Sequence, residues 1–208
     1  MVVGAGSAGC VVANRLSANN GASVALIEAG GADNSPWIHI PVGYFRTMGN
    51  PKTDWCYKTE ADPGLNGRTI DWPRGKVLGG SSSINGLLYV RGQPQDFDHW
   101  RQLGNTGWSW RDVLPYFRRA ENWEGAAAEE RGVGGPLNVS KNKVDREIVE
   151  AWLEAATAAG YRRTVDYNRE DQEGVGYFQM TMKNGRRCSS AAAYLKPARK
   201  RSNLYIFT

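Results

Sequence analysis

The sequence has few of the residues that most often hold metals or form disulfides. Its 208 residues include two histidines and three cysteines. Cys10, Cys56 and Cys188 are odd in number and form no CxxC pair. This spacing argues against a disulfide framework and fits a reducing cytoplasm. We therefore predict no metal site and no disulfide.

Long hydrophobic runs are absent as well. No stretch approaches the roughly twenty apolar residues of a membrane-spanning helix. The first residues carry no basic region and no cleavage site, so we expect no signal peptide. Hydrophobic residues make up 41% and charged residues 23% of the chain, as in ordinary globular proteins. We expect a cytoplasmic protein, and we leave open a peripheral contact with an inner membrane.

Acidic residues are missing from the end of the chain. Between Gly174 and Thr208 there are seven basic residues and no acidic one. Such a segment can bind nucleic acid or an anionic membrane surface. A helix over residues 190–200, whose cationic last turn complements its own dipole, also explains the pattern. We favour the helix and predict no nucleic-acid partner.

Glycine, in contrast, is plentiful and is concentrated in two loops. The first loop, Gly4-Ala5-Gly6-Ser7-Ala8-Gly9, follows an apolar strand and opens a helix predicted over residues 9–19. A second predicted strand, residues 23–27, ends at Glu28. In such a βαβ unit the glycines allow a tight turn and close approach to a pyrophosphate, and the acidic residue binds ribose hydroxyls. The pattern predicts a dinucleotide site, disfavours NADP, and leaves NAD and FAD open.

The second glycine loop spans residues 72–98. Gly79 and Gly80 free the backbone to lie against a flat or charged ligand. Short side chains that can form hydrogen bonds follow at once, and an apolar run after them tethers the loop to a core. The polar and basic residues that suit such a ligand are Ser81, Ser82, Asn85, Arg74 and Lys76.

These residues resemble the first signature of the glucose–methanol–choline (GMC) flavin oxidoreductases. The resemblance extends along essentially the whole chain and favours the branch that is similar to bacterial choline dehydrogenases. Its further motifs are Asp54-Trp55, Pro63-Gly64-Leu65-Asn66-Gly67-Arg68, Gly107-Trp108-Ser109, Val113-Leu114-Pro115-Tyr116-Phe117, Gly174-Val175-Gly176-Tyr177 and Asn184-Gly185-Arg186-Arg187-Cys188-Ser189.

The resemblance implies FAD rather than NAD. The first loop would hold the pyrophosphate, Glu28 the adenosine ribose, and the second loop the flavin, with Asn85 nearest to it. Some family members attach FAD through a histidine at the position of Ile84, so noncovalent FAD is expected here. The implied cofactor-binding residues are Gly4, Gly6, Ser7, Ala8, Gly9, Glu28, Ala29, Arg74, Val77, Gly79, Gly80, Ser81, Ser82, Asn85, Gly86, Leu87 and Leu88.

The activity that the resemblance implies is oxidation of a small-molecule alcohol to an aldehyde, with hydride transfer to the flavin. A quinone or a similar electron acceptor is favoured over oxygen. An oxygen-using oxidase, a lyase of the same fold and an inactive remnant are the alternatives, and subunit association is left open.

The family's catalytic histidine has no counterpart here. His39 and His99 are the only histidines, and neither matches the family's motif. We therefore assign no catalytic residue. We expect the chain to be an N-terminal part of a longer protein, with the catalytic base beyond Thr208, and to fold poorly and lack activity alone.

The predicted fold is α/β, with a Rossmann-like FAD-binding domain and the start of an α+β substrate domain, both incomplete. The first domain covers residues 1–135: a βαβ unit at 1–32, an irregular lid at 33–71 and a flavin loop at 72–98. Residues 136–201 begin the substrate domain, and residues 202–208 return to the first domain as a strand.

Within these domains we predict further local elements. Residues 93–123 should be helical in two pieces, and 144–160 should form an amphipathic helix. Residues 125–135 read as an exposed, mobile loop. The alternation in 177–181 predicts a strand.

Overall fold

The computed structural model describes residues 1–169 and 171–208. Its strands are β1 (Val2–Val3), β2 (Val24–Ile27), β3 (Tyr57–Lys58), β4 (Asp71–Trp72), β5 (Glu121–Trp123), β6 (Leu137–Val139), β7 (Met182–Lys183), β8 (Arg186–Arg187) and β9 (Leu204–Phe207). Its α-helices are α1 (Ser7–Leu16), α2 (Pro36–His39), α3 (Tyr44–Thr47), α4 (Pro94–Gln102), α5 (Trp110–Ala120), α6 (Glu147–Ala158) and α7 (Lys196–Ala198).

The chain divides into two compact units, which are described separately. The first unit consists of residues 1–87 and 182–208, and the second of residues 88–181. These boundaries differ from the predicted division at residue 135, because the chain enters the second unit at residue 88, within the predicted flavin loop, and returns to the first at residue 182. The functional assignment of the predicted domains stays a prediction, and Glu170, within 136–201, lies outside the described residues.

A parallel sheet with the order β1-β2-β9 forms the centre of the first unit. Val2 pairs with Leu26, and Val24 pairs with Leu204. Helix α1 connects β1 to β2 and buries Cys10 and Ala13. The alternation of strand, helix and parallel strand confirms the predicted α/β fold, and β9 supplies the third strand.

Short elements replace regular structure in residues 33–71 of the first unit. Helices α2 and α3 have four residues each, and β3 and β4 form a small antiparallel pair. The buried carboxylate of Asp54 organises this region, since it accepts hydrogen bonds from the backbone N–H groups of Gly49, Cys56 and Arg74 at 2.7, 3.0 and 2.9 Å.

The predicted helix over residues 190–200 is divided in the structure. Ala191–Leu195 forms a π-helical turn, and α7 follows it directly. The amide of Asn14, on α1, donates to the Tyr194 carbonyl at 2.7 Å. This bond attaches the π-helical turn to the helix that follows the first glycine loop.

Several cations of the basic C-terminal segment bond inside the first unit. Arg201 donates to the hydroxyl of Ser17 at 2.9 Å, and Arg199 lies 3.3 Å from the carboxylate of Asp33. Arg187 is buried. Part of the positive charge in this segment therefore serves internal contacts.

The second unit contains α4, α5 and α6 together with the parallel pair β5 and β6. The two-piece helix predicted within 93–123 and the helix predicted over 144–160 are confirmed in type, with shorter bounds. Phe97 packs its ring against Trp100, Trp110 and Phe117, with centroids 5.4 to 5.8 Å apart.

Two local predictions for the second unit differ from the structure. Residues 125–135 form a loop with exposed positions, as predicted, but residues 130–132 are buried. Within 125–135, Arg131 is buried, because it forms an ion pair with Glu121 and lies 4.0 Å over the Trp123 ring. Within 177–181 there is no strand. Met180 forms isolated bridges with Leu88 and Ser140, and the N–H of Gln179 donates to the Tyr167 hydroxyl.

No helix in the described part of the chain, residues 1–169 and 171–208, has both the length and the apolarity needed to cross a membrane.

Candidate cofactor site

The first glycine loop makes a tight turn between β1 and α1. Gly4 has a φ of +86°, which glycine adopts without strain. Gly9 faces the backbone of the turn, where a Cβ would lie 1.8 Å from the Gly4 carbonyl oxygen. A side chain at Gly9 would therefore separate the helix from the strand.

The N-terminus of α1 presents free backbone donors. Gly6 occupies the N-cap and offers no side chain to bond the first N–H groups of the helix. Ser7 and Ala8 are exposed, and a Cβ at Gly6 would meet no atom within 4 Å. Open space, unpaired N–H groups and the positive end of the helix dipole together fit a diphosphate.

Glu28 lies directly after β2 and closes the first loop. Its carboxylate accepts hydrogen bonds from the N–H of Ala5 at 2.7 Å and from the N–H of Gly30 at 2.9 Å. A carboxylate has about four acceptor positions, so two bonds leave capacity for ribose hydroxyls. Ala29, beside it, is exposed.

The second glycine loop contacts the first directly. The N–H of Gly79 donates to the Ala5 carbonyl at 2.7 Å, and the Cys10 thiol lies 3.1 Å from the same oxygen. A Cβ at Gly80 would lie 2.6 Å from the Gly6 Cα. The structure therefore brings the two predicted loops together as one surface. Burial raises the pKa of the Cys10 thiol to about 11, so this thiol stays protonated and unreactive.

The serine hydroxyls of the second loop bond within the first unit. Ser81 Oγ accepts from the Gly75 N–H at 3.1 Å, and Ser82 Oγ donates to the Gly79 carbonyl at 2.6 Å. Ser83 is buried and donates to the Leu78 carbonyl at 2.7 Å. These hydrogen bonds fix the shape of the loop from within.

The apolar residues of the second loop point into the protein. Val77 and Ile84 form a buried cluster with Ile38, and Leu87 is buried as well. Ile84 carries a hydrocarbon side chain in this cluster and offers no atom for a covalent bond to a flavin. Gly86 is half-buried in the first unit. Leu88 is exposed and begins the second unit.

The basic residues before the second loop lie on aromatic rings. The guanidinium of Arg74 is 5.1 Å from the Trp72 ring centroid, and the ammonium of Lys76 is 4.7 Å from that of Trp55. Both rings are partly exposed. Cation–π contacts of this kind hold the charges at the protein surface near the loop.

Sequence reasoning missed Arg187 as a member of the site. Its guanidinium donates to the Oδ1 of Asn85 and to the Asn85 carbonyl, both at 2.7 Å. It also donates to the carbonyls of Ser82 at 3.2 Å and Ile38 at 2.8 Å. Burial lowers the pKa of Arg187 to about 10. The Asn184-Gly185-Arg186-Arg187 motif was the available sequence signal, but the sequence alone does not show which residues Arg187 contacts.

The two histidines of the sequence lie in different units. His39 Nε2 lies 2.8 Å from the Asp33 carbonyl oxygen in the first unit. His99 lies in the last turn of α4, in the second unit.

Comparison with known proteins identifies the family of this chain. The GMC oxidoreductase family matches residues 1–208. The chain belongs to the GMC oxidoreductase family. It is 50% identical over 206 residues to an oxygen-dependent choline dehydrogenase of Brucella suis biovar 1 (strain 1330), covering 99% of the chain and 38% of that relative. It is also 50% identical over 208 residues to the protein of that name in Vibrio vulnificus (strain YJ016), covering 99% and 37%.

Solved structures of similar proteins have the same fold as this chain. Pyridoxine 4-oxidase from Mesorbium loti has a TM-score of 0.93 at 36% identity, over 99% of this chain and 41% of that one. An FAD-dependent oxidoreductase from Chaetomium thermophilum has a TM-score of 0.88 at 29% identity, over 99% and 37%. The predicted family, fold and cofactor, FAD, are therefore confirmed at the level of the GMC family. The chain spans about 38% of the length of its curated relatives.

Proposed function

We propose that this chain forms the FAD-binding part of an oxidoreductase that converts an alcohol to an aldehyde. The observation that carries the proposal is the joined pair of glycine loops in front of an uncapped helix N-terminus. The hydrogen bond from Gly79 to Ala5 makes one surface from two segments that lie far apart in sequence.

Each part of this surface has a proposed partner in FAD. Gly6 and the N–H groups of Ser7 and Ala8 bind the diphosphate, because their donors face open space. Glu28 binds the adenosine ribose through its remaining lone pairs. The backbone of the second loop, including Gly80, lies along the flavin. The buried hydrocarbon of Ile84 favours a noncovalent cofactor.

FAD supplies a hydride acceptor when bound, and the residues of this chain bind and orient it. Among them we assign no base to remove the hydroxyl proton. His39 and His99 are the only histidines in the sequence, and neither matches the catalytic motif of the family. We therefore expect the 208 residues alone to lack turnover.

Choline is the first substrate to test. The relatives that share half of their aligned residues with this chain are named choline dehydrogenases. A pyridoxine oxidase is similar at 36% identity. Pyridoxine, a primary alcohol on an aromatic ring, is the second substrate to test.

For the electron acceptor, a quinone-like compound is the proposed partner, and oxygen is the competing one. The curated relatives are named oxygen-dependent choline dehydrogenases, and this makes oxygen the second candidate. Contact with a membrane surface and association of subunits are likewise proposals for the complete protein.

Anaerobic titration of the purified complete gene product tests the function. The protein should copurify with yellow FAD, and acid denaturation should release all of it. Choline or pyridoxine should then bleach the flavin absorbance. Bound FAD without bleaching by any alcohol would favour the lyase alternative, whereas a protein with no affinity for FAD would contradict the proposal altogether. Reoxidation by oxygen and by a soluble quinone, measured side by side, separates the acceptors.

A further inference from the structure

Arg187 is a buried charge at the second glycine loop. The residue is 3% exposed. Its hydrogen-bond partners are the carbonyls of Ile38, Ser82 and Asn85 and the Asn85 side-chain oxygen. All of these acceptors are neutral. In the described part of the chain no carboxylate lies within 4.0 Å of this guanidinium.

A buried cation without a carboxylate is unusual, because burial removes the stabilisation that water gives to a charge. Neutral carbonyls satisfy its N–H groups but leave the net charge unbalanced. An anion that binds near the loop would balance it. FAD carries negative charge on its diphosphate, and two-electron reduction adds further negative charge to the flavin.

The contacts of Arg187 also fix the loop mechanically. They hold two loop positions, Ser82 and Asn85, and join them to Ile38, which precedes Ser82 by more than forty residues. The N–H of Ser190, three residues after Arg187, donates to Ser82 Oγ at 2.9 Å. Segment 187–190 therefore braces the loop from the protein side.

We propose that Arg187 is a positioning residue of the cofactor site: its planar guanidinium holds residues 82–85 in the conformation that receives FAD, and the anionic cofactor balances its charge. The inference rests on the proposed function and names no contact between Arg187 and FAD.

Three variants of the complete gene product test the role of Arg187. Arg187→Gln removes the charge, and Arg187→Lys keeps the charge but loses the planar fork. Arg186→Gln is the matched control, because Arg186 is the exposed neighbour in the same strand. Fluorescence titration of each apoprotein gives the Kd for FAD, and spectroelectrochemistry gives the midpoint potential of the bound flavin.

Arg187→Gln should raise the Kd for FAD at least about tenfold. It should also weaken the preference for reduced over oxidised flavin about tenfold, which lowers the potential by about 30 mV for a two-electron couple. Arg187→Lys should raise the Kd but leave the potential close to that of the parent protein. Arg186→Gln should change neither quantity.

An Arg187→Gln protein that binds FAD as tightly as Arg186→Gln would overturn the inference and leave the proposed function standing. If Arg187→Gln does not fold, Arg187→Lys decides: an unchanged Kd or a lowered potential would overturn the inference. A parent protein without affinity for FAD would instead overturn the proposed function itself.

Discussion

Each of the two units buries arginine side chains, and the two units balance the buried charge differently. In the second unit, Arg91 and Arg131 lie 2.7 and 2.8 Å from the two oxygens of Glu121, and Arg131 also reaches Asp166 at 3.2 Å. In the first unit, Arg187 contacts only neutral oxygens.

Burial lowers the pKa of both Arg131 and Arg187, but the neighbouring carboxylates oppose the shift only at Arg131. A charge that is balanced by the protein's own carboxylates needs no ligand and serves the stability of its unit. The charge of Arg187 has no such partner in the described part of the chain, and in our proposal a bound cofactor balances it.

Removing the shared carboxylate should have the largest effect. Glu121→Gln leaves the buried guanidinium of Arg91 without a carboxylate and leaves that of Arg131 with Asp166 alone. We therefore expect a loss of about 3–5 kcal/mol in the free energy of unfolding. Urea denaturation of the complete gene product, followed by tryptophan fluorescence, measures it.

The control for this variant is Glu150→Gln, which breaks an ion pair with Arg163 whose side chains are 36% and 46% exposed. Its expected cost is at most about 1 kcal/mol, because solvent screens the pair. Equal losses in the free energy of unfolding from the two variants would show that the buried contacts of Glu121 stabilise the protein no more than an exposed ion pair does.

Closing the space between the glycine loops should have the next largest effect. Gly80 has a φ of +53°, and a Cβ there would lie 2.6 Å from the Gly6 Cα. Gly80→Ala should cost about 2–4 kcal/mol through overpacking and left-handed strain. The Kd for FAD should rise at least about tenfold. Gly31→Ala is the control, since a Cβ there meets nothing within 4 Å; similar losses in both would refute this explanation.

The first unit also buries a carboxylate, Asp54, without an arginine. Desolvation alone would raise the pKa of Asp54, but hydrogen bonds from four backbone N–H groups outweigh it and hold the pKa below its ordinary value of 3.8. Its contribution to stability is therefore present above pH 3.8 and is lost as the pH falls through the lower folded-state pKa.

Asp54→Asn should remove this pH dependence and cost about 1–3 kcal/mol at neutral pH, since one amide cannot accept all of these bonds. Urea denaturation at pH 7 and across the acid range measures both effects. Asp71→Asn is the control, because the Asp71 side chain is 77% exposed. If the stability of Asp54→Asn fell at low pH as much as that of the parent protein, Asp54 would not be the source of this pH dependence.

The smallest effect is expected when Arg187 receives a carboxylate partner, as Arg91 has in Glu121. Asn85→Asp places a carboxylate at the oxygen that lies 2.7 Å from the Arg187 guanidinium. We expect the free energy of unfolding of the apoprotein to rise by about 1 kcal/mol, as for a charge-assisted hydrogen bond, and FAD to bind more weakly. Thermal unfolding with and without FAD measures both. A more stable apoprotein with undiminished FAD affinity would show that FAD binding does not depend on the unbalanced charge of Arg187.

The sequence predicts the local parts of the site best. The βαβ unit follows from glycine spacing and apolar periodicity within about thirty residues, and the structure has its three elements in that order. The second glycine loop was also predicted. Its contact with the first was not derivable, because the Ala5–Gly79 bond joins residues that share no local pattern.

Long-range contacts of buried arginines account for what the sequence did not predict. The guanidinium of Arg187 bonds residues 102 and 149 positions away in the chain. Arg131 lies in a segment whose composition indicates a surface loop, yet Glu121 and Asp166 hold it inside. Charge alone predicts exposure for such residues, and only the three-dimensional partners reverse that expectation.

The hydrogen bond between Gly79 and Ala5 also constrains the order of folding. It closes a loop of more than seventy residues, and closure of such a loop is an entropic cost that must be met before the contact forms. A nascent chain that ends before the second loop has the helix N-terminus but not its facing surface. If FAD binds at this surface as proposed, its capture requires that both loops have met, and the yellow colour of the bound flavin would report that contact.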